Sequence, residues 1–241
     1  RRRLSQHALS DLQTVVLMGV ALEAAAAFAP TASPLTCAEA ERVARLMVEQ
    51  DKRPWVAVEA GARRFKGHQP LLQPLEEAVE LEDLAGLALG QFSGLTISRI
   101  YAVLDLVVRE RFSVQAAVAR AARTADHAWI DRLTRRVHAR RLSEWMRRSR
   151  WGSSLGLRQV QRIAEYVEER DYSIQGACEE LHFPLDQESV HHVEQYRVIR
   201  RFAEWLEKEM RYPFPNFTQA MNDARYLFDG RPAQRVFAWM S

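Results

Sequence analysis

Residues 139–148 read ARRLSEWMRR, and residues 199–208, sixty positions further along, read IRRFAEWLEK. Both stretches contain two arginines, then an apolar residue, a small residue, Glu-Trp and another apolar residue. At the same offset, residues 97–148 align with residues 157–208 without a gap. Self-similarity at a fixed offset is the signature of a repeated structural unit. We therefore predict a duplicated unit of roughly fifty residues.

The composition favours an all-α protein. The chain has 241 residues, of which 47% are hydrophobic and 27% charged, with only 10 glycines and 9 prolines. Ala, Leu, Arg and Glu, which favour helices, are abundant, and no segment alternates with the period of two that marks a strand. The predicted fold is all-α, with tandem three-helix units that follow an N-terminal helical bundle.

The predicted organisation has four parts. They are an N-terminal helical bundle (1–92), a basic three-helix unit (93–150), an acidic or neutral three-helix unit (151–211) and an aromatic C-terminal segment (212–241). In the bundle, helical spacing and capping signals predict helices over 6–28, 37–50, 54–65 and 74–90. The segment KGHQPLLQP, which contains two prolines, is predicted to be a loop.

Each three-helix unit follows the same pattern. A first helix (97–110; 158–170) leads to a serine that is suited to cap a short second helix (114–122; 174–181). A turn and an aspartate, Asp126 or Asp186, then introduce a long third helix. These third helices are predicted over 127–149 and 187–211, and each is expected to pack back on its own unit through Trp145 or Trp205.

The short helices carry a pattern that resembles helix-turn-helix DNA-binding proteins of bacterial regulators and recombinases. An apolar residue is followed by a small residue three places on and by apolar or small residues at four and seven. The residues concerned are Val114, Ala117, Val118 and Ala121, and then Ile174, Ala177, Cys178 and Leu181. The chain departs from the pattern in its longer turns, where Ala122 or His182 replaces the expected glycine. The resemblance implies that the third helix of a unit reads DNA.

Charge separates the two units. Residues 127–150 contain eight arginines against Asp131 and Glu144, which gives 8 − 2 = +6. Residues 187–211 contain five basic and five acidic residues, which gives zero. Since neutralised phosphates supply much of the affinity for DNA, the first unit is the candidate reader.

The predicted DNA-binding residues lie along that basic helix. With Ile130, Leu133 and Val137 turned inward, helical spacing turns His127, Asp131, Arg132, Arg135 and His138 outward. Arg132 or Arg135 would read a guanine, whereas Arg136, Arg140 and Arg147 would hold phosphates. The alternative is that the arginines form only a solvated face.

Two function classes remain open at this point. The first is a cytoplasmic, bacterial DNA-binding protein, such as a transcriptional regulator or a mobile-element or plasmid factor, which pairs as a homodimer or with a protein partner through 212–241. The second is an α-helical scaffold or adaptor in a larger assembly. Two cysteines, Cys37 and Cys178, make no disulfide framework and fit a reducing compartment.

The N-terminal stretch loosely imitates a secretion signal. Asp11 and Glu23 bracket its apolar part, which is too short to span a membrane. The recurrence of Leu9, Leu12, Val16 and Val20 at helical spacing predicts instead a buried stripe on a packed helix.

Catalysis and metal binding have little support. The chain lacks a Gly-rich phosphate loop, a His-Glu-x-x-His motif and a nucleophile elbow. Two Glu-x-x-His pairs, Glu179–His182 and Glu188–His191, suggest a di-metal enzyme only as a distant third option. A zinc set drawn from Cys178, His182, His191 and His192 is a further alternative. The prediction is that the protein is not an enzyme and needs no cofactor or metal.

Overall fold

The computed structural model describes residues 6–28, 35–50, 52–63, 69–122, 124–147, 155–185 and 187–209. Across those residues all regular secondary structure is helical, which confirms the predicted all-α class. The described helices are α1 (Gln6–Phe28), α2 (Cys37–Val48), α3 (Pro54–Gly61), α4 (Gln69–Leu89), α5 (Ile97–Val108), α6 (Val114–Ala121), α7 (His127–Arg147), α8 (Leu157–Glu169), α9 (Ile174–Leu181) and α10 (Gln187–Glu209).

The chain forms two compact units, residues 1–83 and 84–241. The division falls inside α4, whereas the sequence suggested a boundary in the linker at 92. The two predicted three-helix segments, 93–150 and 151–211, lie within the same compact unit.

The first unit begins as its capping signals predict. Thr36 and Glu39 form a capping box: the Thr36 hydroxyl accepts from the Glu39 N–H at 3.2 Å, and the Thr36 N–H donates to the Glu39 carboxylate at 3.1 Å. The box satisfies two backbone donors that a helix start leaves unpaired. It fixes the start of α2 at Cys37, as predicted.

The predicted span of α1 is confirmed, and of its predicted buried stripe Val20 packs partly buried against the core while Val16 does not. The side chains of Leu9 and Leu12 lie outside the described residues. Leu17, Ala21 and Ala25 are buried, whereas Val16 is 42% exposed. Both sets have helical spacing, so the period alone cannot choose between them. The alanines allow a close approach to α2, with which α1 shares its core.

Helices α2 and α3 cross closely at Gly61. A Cβ atom at this position would lie 2.8 Å from Val43 Cγ2 and 2.9 Å from the Val43 backbone nitrogen. Both separations are shorter than side-chain contacts allow, so this crossing requires glycine. Pro54 opens α3 at its first position, where the missing N–H costs no hydrogen bond.

Helix α4 starts earlier than predicted. The prolines of KGHQPLLQP suggested a loop up to residue 74, yet the helix begins at Gln69 and contains Pro74. A proline inside a helix removes one hydrogen bond and crowds the carbonyl four residues back. Leu71 and Leu75, both fully buried, offset that loss by burying apolar surface on either side of Pro74.

The helices of the second unit repeat with the sequence. We call α5–α7 the first repeat and α8–α10 the second repeat. Their helices begin at 97, 114 and 127 and again at 157, 174 and 187, each sixty residues apart. The buried faces also correspond, with Ile100, Val103 and Val107 on α5 and Val160, Ile163 and Val167 on α8.

The turn before each short helix has the same geometry in both repeats. Arg111 and Asp171 both adopt a left-handed conformation with φ of 58°. The next N–H donates to the carbonyl six residues back at 3.1 Å, from Phe112 to Leu106 and from Tyr172 to Tyr166. Ser113 and Ser173 then cap α6 and α9 through their side chains, as predicted.

Helix α7 packs against both repeats. Its later residues Ala139, Leu142 and Met146 are buried in one cluster with residues of α8, α9 and α10. Trp145 packs against the same cluster, and its ring centroid lies 5.1 Å from that of Tyr196 in α10. The prediction that Trp145 packs back on its own unit is therefore wrong, because the final turns of α7 contribute to the core of the second repeat.

Candidate nucleic-acid interface

The start of α7 is held in place by three hydrogen bonds. The Asp126 N–H donates to the Ser93 carbonyl at 2.9 Å, and the Asp126 carboxylate accepts from the Trp129 N–H at 3.0 Å, as an N-cap should. The Trp129 indole donates to the Ala88 carbonyl at 3.1 Å. That carbonyl lies in the last turn of α4, where carbonyls lack partners within the helix. The linker before α5 thus anchors the beginning of α7.

The first turns of α7 present a polar face to solvent. His127, Asp131, Arg132 and Arg135 are all exposed. The opposite face buries Leu133 and Val137, as the spacing indicates, together with Trp129. Ile130, which was expected to point inward, is only partly buried. Trp129, which the sequence analysis did not place on the inward face, is 1% exposed.

Arg136, predicted to hold a phosphate, contacts carboxylates of its own chain. Its Nη1 atom donates to Glu165 at 2.7 Å and to Glu169 at 3.1 Å, both on α8. A phosphate would compete with these two carboxylates for the guanidinium charge. The contacts join α7 to α8 across a partly buried surface, so Arg136 already has a structural role.

The other two predicted phosphate ligands, Arg140 and Arg147, are partly buried. In each residue the Nε atom is inaccessible to solvent, and each side chain takes part in interactions within the protein. The exposed candidates therefore lie in the first half of α7, and these two lie closer to the protein interior.

Arg141 is one of the eight arginines of residues 127–150, but it is buried. Its Nη2 atom donates to the Val107 carbonyl at 3.3 Å and to the Phe112 carbonyl at 3.0 Å. These carbonyls lie in the last turn of α5 and in the turn before α6. Arg141 thus fastens α7 to the α5–α6 turn, and the charge it adds to the sequence total does not reach the surface.

His138 also faces inward, so the sequence-based placement of this residue is wrong. Its Nε2 atom lies 2.9 Å from a carboxylate oxygen of Glu204 on α10. Burial lowers the pKa of His138, although Glu204 opposes this effect. The contact joins α7 to α10 inside the protein.

Glu204 continues into a buried charge cluster. Arg200 lies 3.4 Å from Glu204 and 2.6 Å from Glu168 of α8, and both Arg200 and Glu168 have only 5% of their side chains exposed. Burial on its own raises the pKa of Glu204, but His138, Arg200 and Arg141 outweigh it and hold that pKa below its usual value. Glu204 and Arg200 are visible in the sequence as an i,i+4 pair, whereas their approach to Glu168 and His138 is not.

Among the described side chains, no group of three or more His, Cys, Asp or Glu residues could hold a metal ion. Cys178 is buried, and burial together with Glu179 raises the pKa of its thiol to about 11. His182 and His191 are both exposed. The side chains of Glu188 and His192, and the aromatic segment 212–241, lie outside the described residues.

Comparison with known proteins does not assign a family. No family model, no curated protein and no solved structure matches the chain. Among the described helices, none is both long enough and apolar enough to cross a membrane. The exposed face of α7 is the feature of the described residues that bears on function.

Proposed function

We propose that the protein binds DNA through the first half of α7, as a regulator or a mobile-element or plasmid factor would. The observation that carries the proposal is the exposed set His127, Asp131, Arg132 and Arg135 on a helix whose start is fixed by hydrogen bonds. A face held in one orientation loses little conformational freedom when it binds. Such pre-organisation favours a recognition surface.

The chemistry of these side chains suits DNA. The guanidinium groups of Arg132 and Arg135 can donate in pairs to guanine or to phosphate oxygens, and the carboxylate of Asp131 can accept from a cytosine amino group. Arg136, by contrast, is engaged by Glu165 and Glu169. We therefore assign DNA contact to Arg132 and Arg135 first.

The test measures DNA affinity by fluorescence anisotropy with random-sequence duplex at about 50 and about 200 mM salt. Arg132→Gln/Arg135→Gln should weaken binding and reduce the salt slope by up to about 1.8, because each lost phosphate contact contributes about 0.9. The matched control is Arg162→Gln/Arg201→Gln, which removes the same charge from exposed positions of the second repeat.

Equal losses from both double variants would show a general charge effect and reject α7 as the reader. No binding by the unaltered protein at low salt would reject DNA binding itself. Arg136→Gln is kept separate from the double variant, since it also leaves Glu165 and Glu169 without their partner.

A scaffold is the second candidate. It is favoured by the use of Arg136 and Arg141 inside the protein, which leaves less of the positive charge of α7 at the surface. In that case the exposed face of α7 would contact protein, and the anisotropy measurement would show no salt-dependent DNA binding.

A further inference from the structure

An exposed apolar strip lies just before and within the first turns of α5. Phe92 is 81% exposed and Ile97 is 66% exposed, while Leu89 and Tyr101 are each 41% exposed. Ile97 and Tyr101 are four residues apart, so they share one face of the helix. Exposed large apolar side chains are candidates for a binding site when they share a face.

The backbone that carries Phe92 is fixed. Ser93 is 3% exposed, and its hydroxyl accepts from the Leu95 N–H at 3.1 Å. Gly94 has φ of 71°, a left-handed conformation that glycine adopts without steric cost. The Ser93 carbonyl accepts from Asp126 at the start of α7. Phe92 is thus an exposed ring on an ordered linker.

The same hydrogen bonds place Phe92 beside the proposed DNA-binding face. Phe92 is one residue, about 3.8 Å of chain, from the Ser93 carbonyl that meets Asp126. Arg132 and Arg135 lie about 9 and about 14 Å further along α7 at the helical rise. These lengths are comparable to a major-groove width of about 12 Å. Phe92 and the two arginines are thus close enough along the fold for one short stretch of nucleic acid to span them.

We propose that Phe92 stacks on an unpaired base next to the duplex contacted by Arg132 and Arg135. This inference rests on the proposed function and specifies its substrate class as duplex DNA that contains or adjoins unpaired bases. Aromatic rings bind bases of any sequence through their faces, and an unpaired base needs no energy to break a base pair before it stacks. Arginines next to an exposed ring favour nucleic acid over an apolar protein partner, because phosphates accompany every base.

The test compares the affinity for a fully paired duplex with that for the same duplex carrying a short central bubble. The unaltered protein should prefer the bubble by between about 5-fold and about 150-fold, the range that one aromatic stack provides. Phe92→Ala should abolish this preference, leave duplex affinity unchanged and keep the salt slope, since phenylalanine carries no charge.

Two further variants make the test specific. Phe92→Trp should retain the preference because it retains an aromatic face, whereas Phe92→Leu should lose it. Trp55→Ala removes another half-exposed aromatic residue, which lies in α3 and is 50% exposed, and should change nothing. Thermal unfolding of the Phe92 variants should match the unaltered protein, because the side chain is exposed.

The outcomes separate this inference from the proposed function. No DNA binding by the unaltered protein overturns both. Binding that depends on Arg132 and Arg135 but is equal for paired and bubbled DNA overturns only the stacking proposal. A bubble preference that survives in Phe92→Ala or Phe92→Leu also overturns it, because the preference then has another source.

Discussion

The arginine pairs Arg140–Arg141 and Arg200–Arg201 occupy equivalent positions of the two repeats, yet each repeat buries a different member. In the first repeat Arg141 is 7% exposed and donates to two backbone carbonyls. In the second repeat Arg200 is 4% exposed and contacts Glu168, while Arg201 is exposed.

A single position on the facing helix accounts for much of this difference. Glu168 on α8 corresponds to Val108 on α5, which is fully buried. A buried carboxylate requires a cation, so Arg200 turns inward to Glu168. The first repeat has no carboxylate at this position. Similar sequence patterns can therefore give helices that begin at equivalent positions and yet different distributions of surface charge.

The largest expected effect comes from removing the buried cation of the second repeat. Arg200→Met leaves the Glu168 carboxylate buried, with the Arg197 Nε atom 3.8 Å away. Breaking a buried ion pair on one side typically costs about 3–5 kcal/mol, and we expect a loss of that size in the free energy of unfolding. Urea unfolding followed by circular dichroism measures it.

Two controls define that result. Arg140→Met, at the equivalent position of the first repeat, should cost clearly less because Val108 stands in place of Glu168. Glu168→Val combined with Arg200→Met should recover much of the stability, since it restores the apolar residue of the first repeat. Equal losses from Arg200→Met and Arg140→Met would contradict the comparison.

The second prediction concerns the buried arginine of the first repeat. Arg141→Met leaves the Val107 and Phe112 carbonyls without this donor and should cost about 1–3 kcal/mol of unfolding free energy. Arg201→Met, its counterpart, alters an exposed side chain and should stay within about 0.5 kcal/mol. The same urea titration compares both variants. A larger loss from Arg201→Met would show that the two repeats use their arginine pairs in the opposite way.

The smallest effect is expected at the ends of the short helices. His182 ends α9 in a left-handed conformation with φ of 56°, whereas the equivalent Ala122 has φ of −127°. His182→Gly should stabilise the protein by up to about 1 kcal/mol, because glycine adopts this conformation without steric cost. Ala122→Gly should destabilise the protein by about 1 kcal/mol. The substitution removes a buried methyl group from the folded protein and increases the conformational entropy of the unfolded chain.

The thermal unfolding midpoints of the two variants and of the unaltered protein, measured side by side, test these two predictions. A shift in the same direction for both variants would mean that the two turns are more alike than their dihedral angles indicate.

The helices could be predicted from the sequence because their signals are local. Thr36 with Glu39, Ser113 and Asp126 each cap the helix that directly follows them. Because the repeats are offset by sixty residues, the helix starts predicted for one repeat also predict those of the other. The start of α4 was missed because the local rule about prolines was outweighed by the burial of Leu71 and Leu75.

The candidate site was only partly predictable. Helical spacing correctly turned Arg132 and Arg135 to solvent, because Leu133 and Val137 fix the buried face. It could not foresee that Arg136 meets Glu165, since that contact joins residues on different helices. Whether a side chain reaches solvent depends on the facing element, and the sequence of one helix does not contain that information.

Helix α7 is continuous over 21 residues, a length of about 30 Å. One end is bonded to the chain around residues 88–93 and the other is embedded among α8, α9 and α10. An unbroken helix transmits displacement along its axis, so neither repeat can shift relative to the other without bending α7 or releasing one of its ends. A partner that displaces α7 at His127 is therefore expected to displace Met146 as well.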